Sequence, residues 1–190
     1  GLGGSATNDG GCGCAAALGV GFLDADGQSF VPVGDTLGRI ARIDTAKAEE
    51  RLRSVELTVM CDVTNPLYGP TGAAYIFGPQ KGADAEKIKS LDAGLRHFGD
   101  VIRSQLGIDV SMMPGAGAAG GMGAGCVALL GGTIQSGIDA VLDVTGFDRQ
   151  LEGADLVITG EGRIDSQSAD GKVVSGVARR TRAKGVPLIA

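Results

Sequence analysis

Tryptophan is absent from this 190-residue chain, and histidine occurs once, at His97. With one imidazole, neither a Ser/His/Asp triad nor a histidine-rich metal centre has enough material. His97 falls off the apolar stripe of its helix and reads as a solvated residue rather than a catalyst. Cysteine is scarce too: Cys12, Cys14, Cys61 and Cys126 are the only four. Only the first two are close, and no second ligand pair completes a zinc site. Small buried thiols in a reduced cytoplasm are the expectation. No apolar run approaches a membrane span, and no signal peptide is visible. Positive charge is also in deficit. A net charge of −5 excludes a general nucleic-acid or membrane-surface binder, while a local basic pocket stays compatible.

Glycine is what the chain has in excess, with 34 residues. Much of the backbone must turn tightly or approach something closely. At 43% hydrophobic and 21% charged residues the composition is globular, sufficient for one large or two small domains. Residue 1 is not Met, and the chain opens inside a glycine-rich motif and closes on an apolar run at 186–190. Both ends read as interior positions of a longer protein.

The periodicity predicts a helix over 84–106, where Ile88, Leu91, Leu95, Phe98, Ile102 and Leu106 recur at spacings of three and four. Shorter helices are expected at 8–18, 46–52 and 173–184. Strands are expected at 22–24, 30–33, 55–61, 156–159 and 186–190. Residues 113–130 read as a loop entering a tightly packed helix. Helix and strand alternate, so the fold class is α/β. A domain boundary near 109–116 or 132–153 is weakly signalled.

The most informative stretch is DLVITGEGRIDSQSADGK at 155–172. A short buried strand feeds a glycine turn at Gly160-Glu161-Gly162. Arg163, Asp165, Ser166, Gln167, Ser168 and Lys172 follow. Ligands of open α/β sheets bind beyond the carboxyl ends of strands, which makes this a site candidate. Two carboxylates can hold a divalent cation, and Arg and Lys can neutralise phosphate. Gly171-Lys172 is not a Walker A ending, because Val173 stands where Ser or Thr is required.

Other segments carry chemistry less specifically. The opening GLGGSATNDGG offers bare amides, hydroxyls and a helix start to an anion, or is simply a tight capping turn. GAGAAG at 115–120 formally matches a dinucleotide fingerprint, but close helix packing through small residues is equally compatible. In CDVTNPLYGP at 61–70, Asp62 sits where a strand ends, with Thr64 and Asn65 beside it. Pro66 and Pro70 stiffen that loop. The ordinary alternative is an Asx-type turn. Lys81, in a Pro/Gly loop, can meet a carboxylate or phosphate, although a solvated lysine is the default.

Taken in order, GLGGSATNDGG, CDVTNPLYGPTGAAYIFGPQKGA, PGAGAAGGMGAG and DLVITGEGRIDSQSADGK resemble the type I glycerate kinases, over nearly the whole chain. The resemblance implies ATP- and Mg²⁺-dependent phosphorylation of D-glycerate to 2-phosphoglycerate, by a cytoplasmic enzyme with no nucleic-acid or membrane partner. It allows a homodimer. It further implies an inserted α/β domain within a Rossmann- or flavodoxin-like one. On that scheme residues 1–20 belong to the first domain or hinge, 21–150 mainly to the insertion, and 151–190 to the returning, truncated domain.

The chemistry of a small hydroxy acid then assigns expected roles. Asp62 is the base for the hydroxyl, and Arg163, Lys172 and Lys81 serve carboxylate or phosphate. Glu161 and Asp165 hold the metal. Gly3, Gly4, Ser5, Thr7, Asn8, Thr64, Asn65, Gly115, Gly117, Gly160, Gly162 and Ser166 line the substrate and nucleotide site. Two rival readings stay open at this point: a dinucleotide-dependent oxidoreductase of small hydroxy acids, and a non-catalytic acid-binding domain. The isolated chain is expected to be inactive and prone to self-association.

Overall fold

The computed structural model describes residues 1–161 and 173–190. It is mixed α/β, and the chain divides into two compact units, Gly1–Ile134 and Gln135–Ala190.

In the first unit the order is α1 (Cys12–Leu18), β1 (Gly21–Leu23), a 3₁₀ turn (Gly34–Arg39), β2 (Arg42–Asp44), α2 (Ala46–Leu52) and β3 (Thr58–Met60). Then come α3 (Ala73–Phe77), α4 (Ala85–Leu106), α5 (Ala118–Leu130) and β4 (Thr133–Gln135), which runs into the division. Strands β1 and β2 pair antiparallel with Phe22 opposite Ile43, and β3 pairs with β4.

Helix α4 forms for the reasons its sequence carries. Asp84 caps it, its Oδ1 accepting from the Lys87 amide at 2.8 Å, and Gly107 ends it in the left-handed region at φ 71°. Leu91, Leu95, Phe98 and Ile102 are buried along one face. They pack against the 3₁₀ turn, α3 and α5.

Helix α5 is built differently. A Cβ on Gly123 would collide with the carbonyl oxygen of Gly115, and one on Gly125 with that of Gly10. Backbone therefore lies on backbone, which only glycine permits. Near its start the helix breaks at Ala119, Gly120 and Gly121, all left-handed, with φ of 52°, 72° and 91°. Ala119 is the only non-glycine residue with positive φ among the described residues.

In the second unit α6 (Gly137–Val144), α7 (Phe147–Gln150), β5 (Val157–Ile158), α8 (Val173–Ala183) and β6 (Leu188–Ile189) follow in order. Strands β5 and β6 pair parallel. An ion network ties the helices. Arg180 of α8 reaches Asp143 at 2.6 Å and Asp148 at 2.8 Å, and Arg179 reaches Asp139 at 2.6 Å. The Ser136 hydroxyl, with Arg179 adding to it, holds the Asp139 carboxyl below its ordinary pKa. Arg180 does the same for Asp143.

Several expectations need correcting. Residues 30–33 form no strand; the only pairing nearby is an isolated bridge between Leu23 and Ser29. The strand at 156–159 is not buried: Leu156 is 46% and Ile158 75% exposed, in a sheet that among the described residues is only two strands wide. His97 is half-buried, and its Nε2 donates to the Ile40 carbonyl at 2.7 Å. Cys14 is exposed rather than buried, and all four thiols are unpaired. Among the described residues no helix is long and apolar enough to cross a membrane.

Candidate functional site

The opening loop is fixed from several sides. The Leu2 amide donates to Met60 O at 2.8 Å and the Gly10 amide to Gly120 O at 3.0 Å. Asp9 accepts from the Gly11 and Gly13 amides, at 3.0 and 3.3 Å. The start of α1 is thus capped by a carboxylate of its own chain, and those amides are not on offer to an external anion.

The cation in this region comes from the next Pro/Gly loop. Lys81 is half-buried and its Nζ donates to Ser5 Oγ at 2.9 Å and to the Thr7 carbonyl at 2.6 Å. It is therefore no solvated lysine. Burial lowers its pKa, against an opposing pull from Asp9. An ammonium has three donors, and among the described residues two are used. Ser5, Thr7 and Lys81 form one cluster, drawn from two segments more than seventy residues apart.

Lys81 stands between two clefts. The larger, about 340 Å³, is lined by the 6–9 and 33–35 segments, Gly78, 81–83, Lys87 and Leu91. The smaller, about 140 Å³, is lined by Leu2, Gly3, Gly4, Ser5, Val63, Phe77, Gln80, Lys81, Ala118 and the left-handed Ala119. It gathers pieces of all three loops singled out in the first unit: the opening, the 61–70 loop and the 115–120 glycines. Asn8 lines the larger cleft. It is only 7% exposed, and neither Oδ1 nor Nδ2 has a hydrogen-bond partner among the described residues. A buried carboxamide in that state costs stability.

The 61–70 loop is held as its prolines suggest. Asn65 Nδ2 donates to Thr71 O at 2.8 Å, the Leu67 amide to Ser111 O at 3.1 Å and the Gly117 amide to Asn65 O at 3.0 Å. Asp92 of α4 accepts the Gly69 amide at 2.7 Å. Asp62 and Thr64 are exposed on this loop, either side of Val63 in the smaller cleft. Gly115 and Gly117 are buried. A Cβ on Gly117 would collide with Pro66 O, and one on Gly115 would meet Cys61 Sγ at 3.2 Å. Their place is under the loop as support. No strand precedes GAGAAG, so it lacks the setting a dinucleotide fingerprint needs.

Residues 1–190 match the description "Glycerate kinase family". The chain belongs to the glycerate kinase family. It is 52% identical over 190 residues to a glycerate kinase of Bacillus cereus, covering 100% of this chain and 50% of that protein. It is 48% identical over 189 residues to a glycerate 2-kinase of Escherichia coli, again covering 100% and 50%. Among solved structures it is similar to a protein described as glycerate kinase 2 from Salmonella typhimurium LT2. The TM-score is 0.88 at 47% identity, over 99% of this chain and 50% of that one. The chain spans about half the length of these relatives.

For a glycerate kinase family chain, the 155–172 segment is only partly on view. Gly160 is exposed and Glu161 half-buried. Glu161 Oε1 is itself buried, with no hydrogen-bond partner among the described residues. Gly162, Arg163, Asp165, Ser166, Gln167, Ser168 and Lys172 lie outside the described residues. Among the described residues no three His, Cys, Asp or Glu side chains gather as a metal cluster.

Sequence reasoning missed Asp35 and Lys87, which face one another at 2.6 Å on the rim of the larger cleft. A signal existed for Lys87. A lysine in the first turn of a helix opposes the helix dipole unless an anion faces it, and Asp35 is that anion. Ala119 carried no signal at all.

Proposed function

We propose that the full-length protein carrying this chain is an ATP- and Mg²⁺-dependent kinase that phosphorylates D-glycerate to 2-phosphoglycerate. The observation that carries the reading is the family match along all 190 residues. The meeting of three glycine and proline loops around Lys81 supports it. Residues 1–134 would be mainly the inserted domain, and 135–190 part of the Rossmann-like one.

In this reading the acid's hydroxyl oxygen takes the γ-phosphoryl group as its O–H proton passes to the Asp62 carboxylate, and ADP leaves. Asp62 is on a loop stiffened by Pro66 and tied to α4, which keeps a reacting group in one geometry. Thr64 and Asn65 orient the acid. Gly3, Gly4, Ser5, Thr7, Asn8 and Lys81 serve the nucleotide. Arg163 and Lys172, with Gly160, Gly162 and Ser166, bind anionic oxygens, while Gly115 and Gly117 contribute by supporting the Asp62 loop. Glu161 fits the metal, with Asp165 as its partner: its buried Oε1 lacks a donor among the described residues, and Mg²⁺ takes one or two carboxylates beside phosphate oxygens. The ion would supply charge neutralisation on the phosphates. The unpaired thiols suit a cytoplasmic enzyme.

A coupled assay of ADP release by the full-length protein, across a panel of small hydroxy acids, tests the proposal. Glycerate-dependent ADP formation is expected; a folded sample with none refutes it. Asp62→Asn should lower turnover by about 10²–10⁴-fold with folding unchanged. Near-normal turnover would return Asp62 to an ordinary turn. Light scattering on the same sample distinguishes a monomer from the homodimer.

A further inference from the structure

Lys81 is a cation without a matching anion. Its Nζ donates to two uncharged oxygens, Ser5 Oγ and the Thr7 carbonyl, and among the described residues no carboxylate pairs with it. The carboxylate that pulls against its burial is Asp9, which is committed to the Gly11 and Gly13 amides. A half-buried ammonium held by neutral acceptors alone keeps its desolvation cost and gains no charge pairing. The two clefts beside it differ in what else lines them. The larger has Asp9 and Asp35 on its walls, and these repel an anion. The smaller has no carboxylate among its lining residues. Unused donors gather there instead. Ser5 Oγ accepts from Lys81, so its own hydrogen is left to give. The Gly3, Gly4 and Ser5 amides donate to no group among the described residues. A Cβ added at Gly3 or Gly4 would meet nothing within 4 Å. That backbone is open to a ligand rather than pressed onto the protein.

We propose that the smaller cleft is an oxyanion site that takes the terminal phosphate of the nucleotide, held by Lys81, Ser5 and the Gly3 and Gly4 amides. At about 140 Å³ it is well below the roughly 300 Å³ at which pockets for drug-sized ligands begin. A phosphate group fits it and a nucleoside does not. Donor type favours phosphate over the acid's carboxylate. A carboxylate is best matched by the two-pronged fork of arginine. A point charge joined to successive backbone amides suits the tetrahedral oxygens of phosphate. Val63 borders the cleft and follows Asp62 directly, so the phosphate seated here is the one beside the Asp62 loop. The assignment rests on the kinase reading and deepens it: Lys81 positions the group to be transferred, and the base lies outside this cleft.

Calorimetry on the full-length protein in metal-free buffer, with inorganic tripolyphosphate, ATP, adenosine and glycerate as probes, tests this without relying on turnover. The wild type should bind tripolyphosphate; ATP should displace it, and adenosine should not. Lys81→Met should weaken tripolyphosphate and ATP about tenfold or more and leave glycerate affinity within about twofold. Ser5→Ala leaves Lys81 its Thr7 carbonyl and should weaken both about threefold. It decides the matter if Lys81→Met does not fold. A lysine placed only for structure would leave tripolyphosphate binding unchanged in a folded variant, and that result overturns the proposal. So does a wild type that binds no tripolyphosphate, or one from which adenosine displaces it. Loss of glycerate affinity with tripolyphosphate binding intact also overturns it, and gives the cleft to the acid's carboxylate. Lys81-dependent tripolyphosphate binding without glycerate-dependent ADP formation would sink the kinase reading and leave the oxyanion site standing.

Discussion

The first unit and the second meet the same difficulty, few aromatic side chains to fill a core, by different physics. Residues 1–134 bring backbone onto backbone. Gly120, Gly123 and Gly125 of α5 press against Thr7, Gly115 and Gly10, and the apolar stripe of α4 closes over the result. Residues 135–190 use charge, with Arg179 and Arg180 of α8 gripping Asp139, Asp143 and Asp148. Close packing is short-ranged and intolerant of added volume. Ion pairs at a half-wet surface are adjustable, and respond to salt and pH. The glycine-packed unit is therefore the one able to hold loops at fixed positions, and it holds the clefts around Lys81.

The largest effect that would break this comparison is at Gly120. An alanine there needs φ near 72° and sets a methyl group into Thr7 O. Gly120→Ala should cost about 4 kcal/mol or more, enough to unfold the first unit, as read by urea denaturation. A loss under about 1 kcal/mol would mean the loop yields, and rigid backbone packing would be the wrong description.

A smaller effect is expected in the second unit. Arg180→Met leaves Asp148 without its cation and Asp143 with Gln135 alone, so stability to urea should fall, by much less than at Gly120. The pH dependence sharpens the point. Asp139 and Asp143 have folded pKa values below their ordinary ones. Their contribution is complete above the ordinary aspartate value of about 4 and is lost as pH falls through and below it. Thermal melts of the wild type should drop between about pH 5 and 3, and those of Arg180→Met should drop less steeply. Identical slopes would show that the network contributes nothing measurable.

The smallest effect is at Ala119, which sits at φ 52°. Left-handed alanine costs about 1–2 kcal/mol, partly offset by the extra freedom glycine has when unfolded. Ala119→Gly should stabilise the first unit by about 0.5 kcal/mol. A loss of stability would show that the alanine methyl group packs usefully against the smaller cleft.

Much of the fold was legible because it is locally encoded. The stripe of α4, its Asp84 cap and its Gly107 stop stand in sequence order, and α2 falls at 46–52 as expected. The four blocks resembling glycerate kinases likewise led to the right family. The 30–33 strand failed because the short run Phe30-Val31-Pro32-Val33 finds no partner strand, and Pro32 has no amide to give to a ladder. His97 was misjudged because a carbonyl 57 positions away, on Ile40, decides its environment.

The sequence by itself determined the helices whose periodicity and caps are local, the α/β class, the family, and the residue types able to handle phosphate and a hydroxyl. Tertiary structure decided which of them meet. Lys81 finds Ser5 and Thr7 across more than seventy residues, Asp9 caps the helix that follows it, and Gly115 and Gly117 come to lie beneath the 61–70 loop. Asn8 is buried with no side-chain partner among the described residues, which no spacing in the sequence foretold. Spacing in sequence sets which side chains share a face over a few residues; over longer separations, only the packed backbone sets who is in reach.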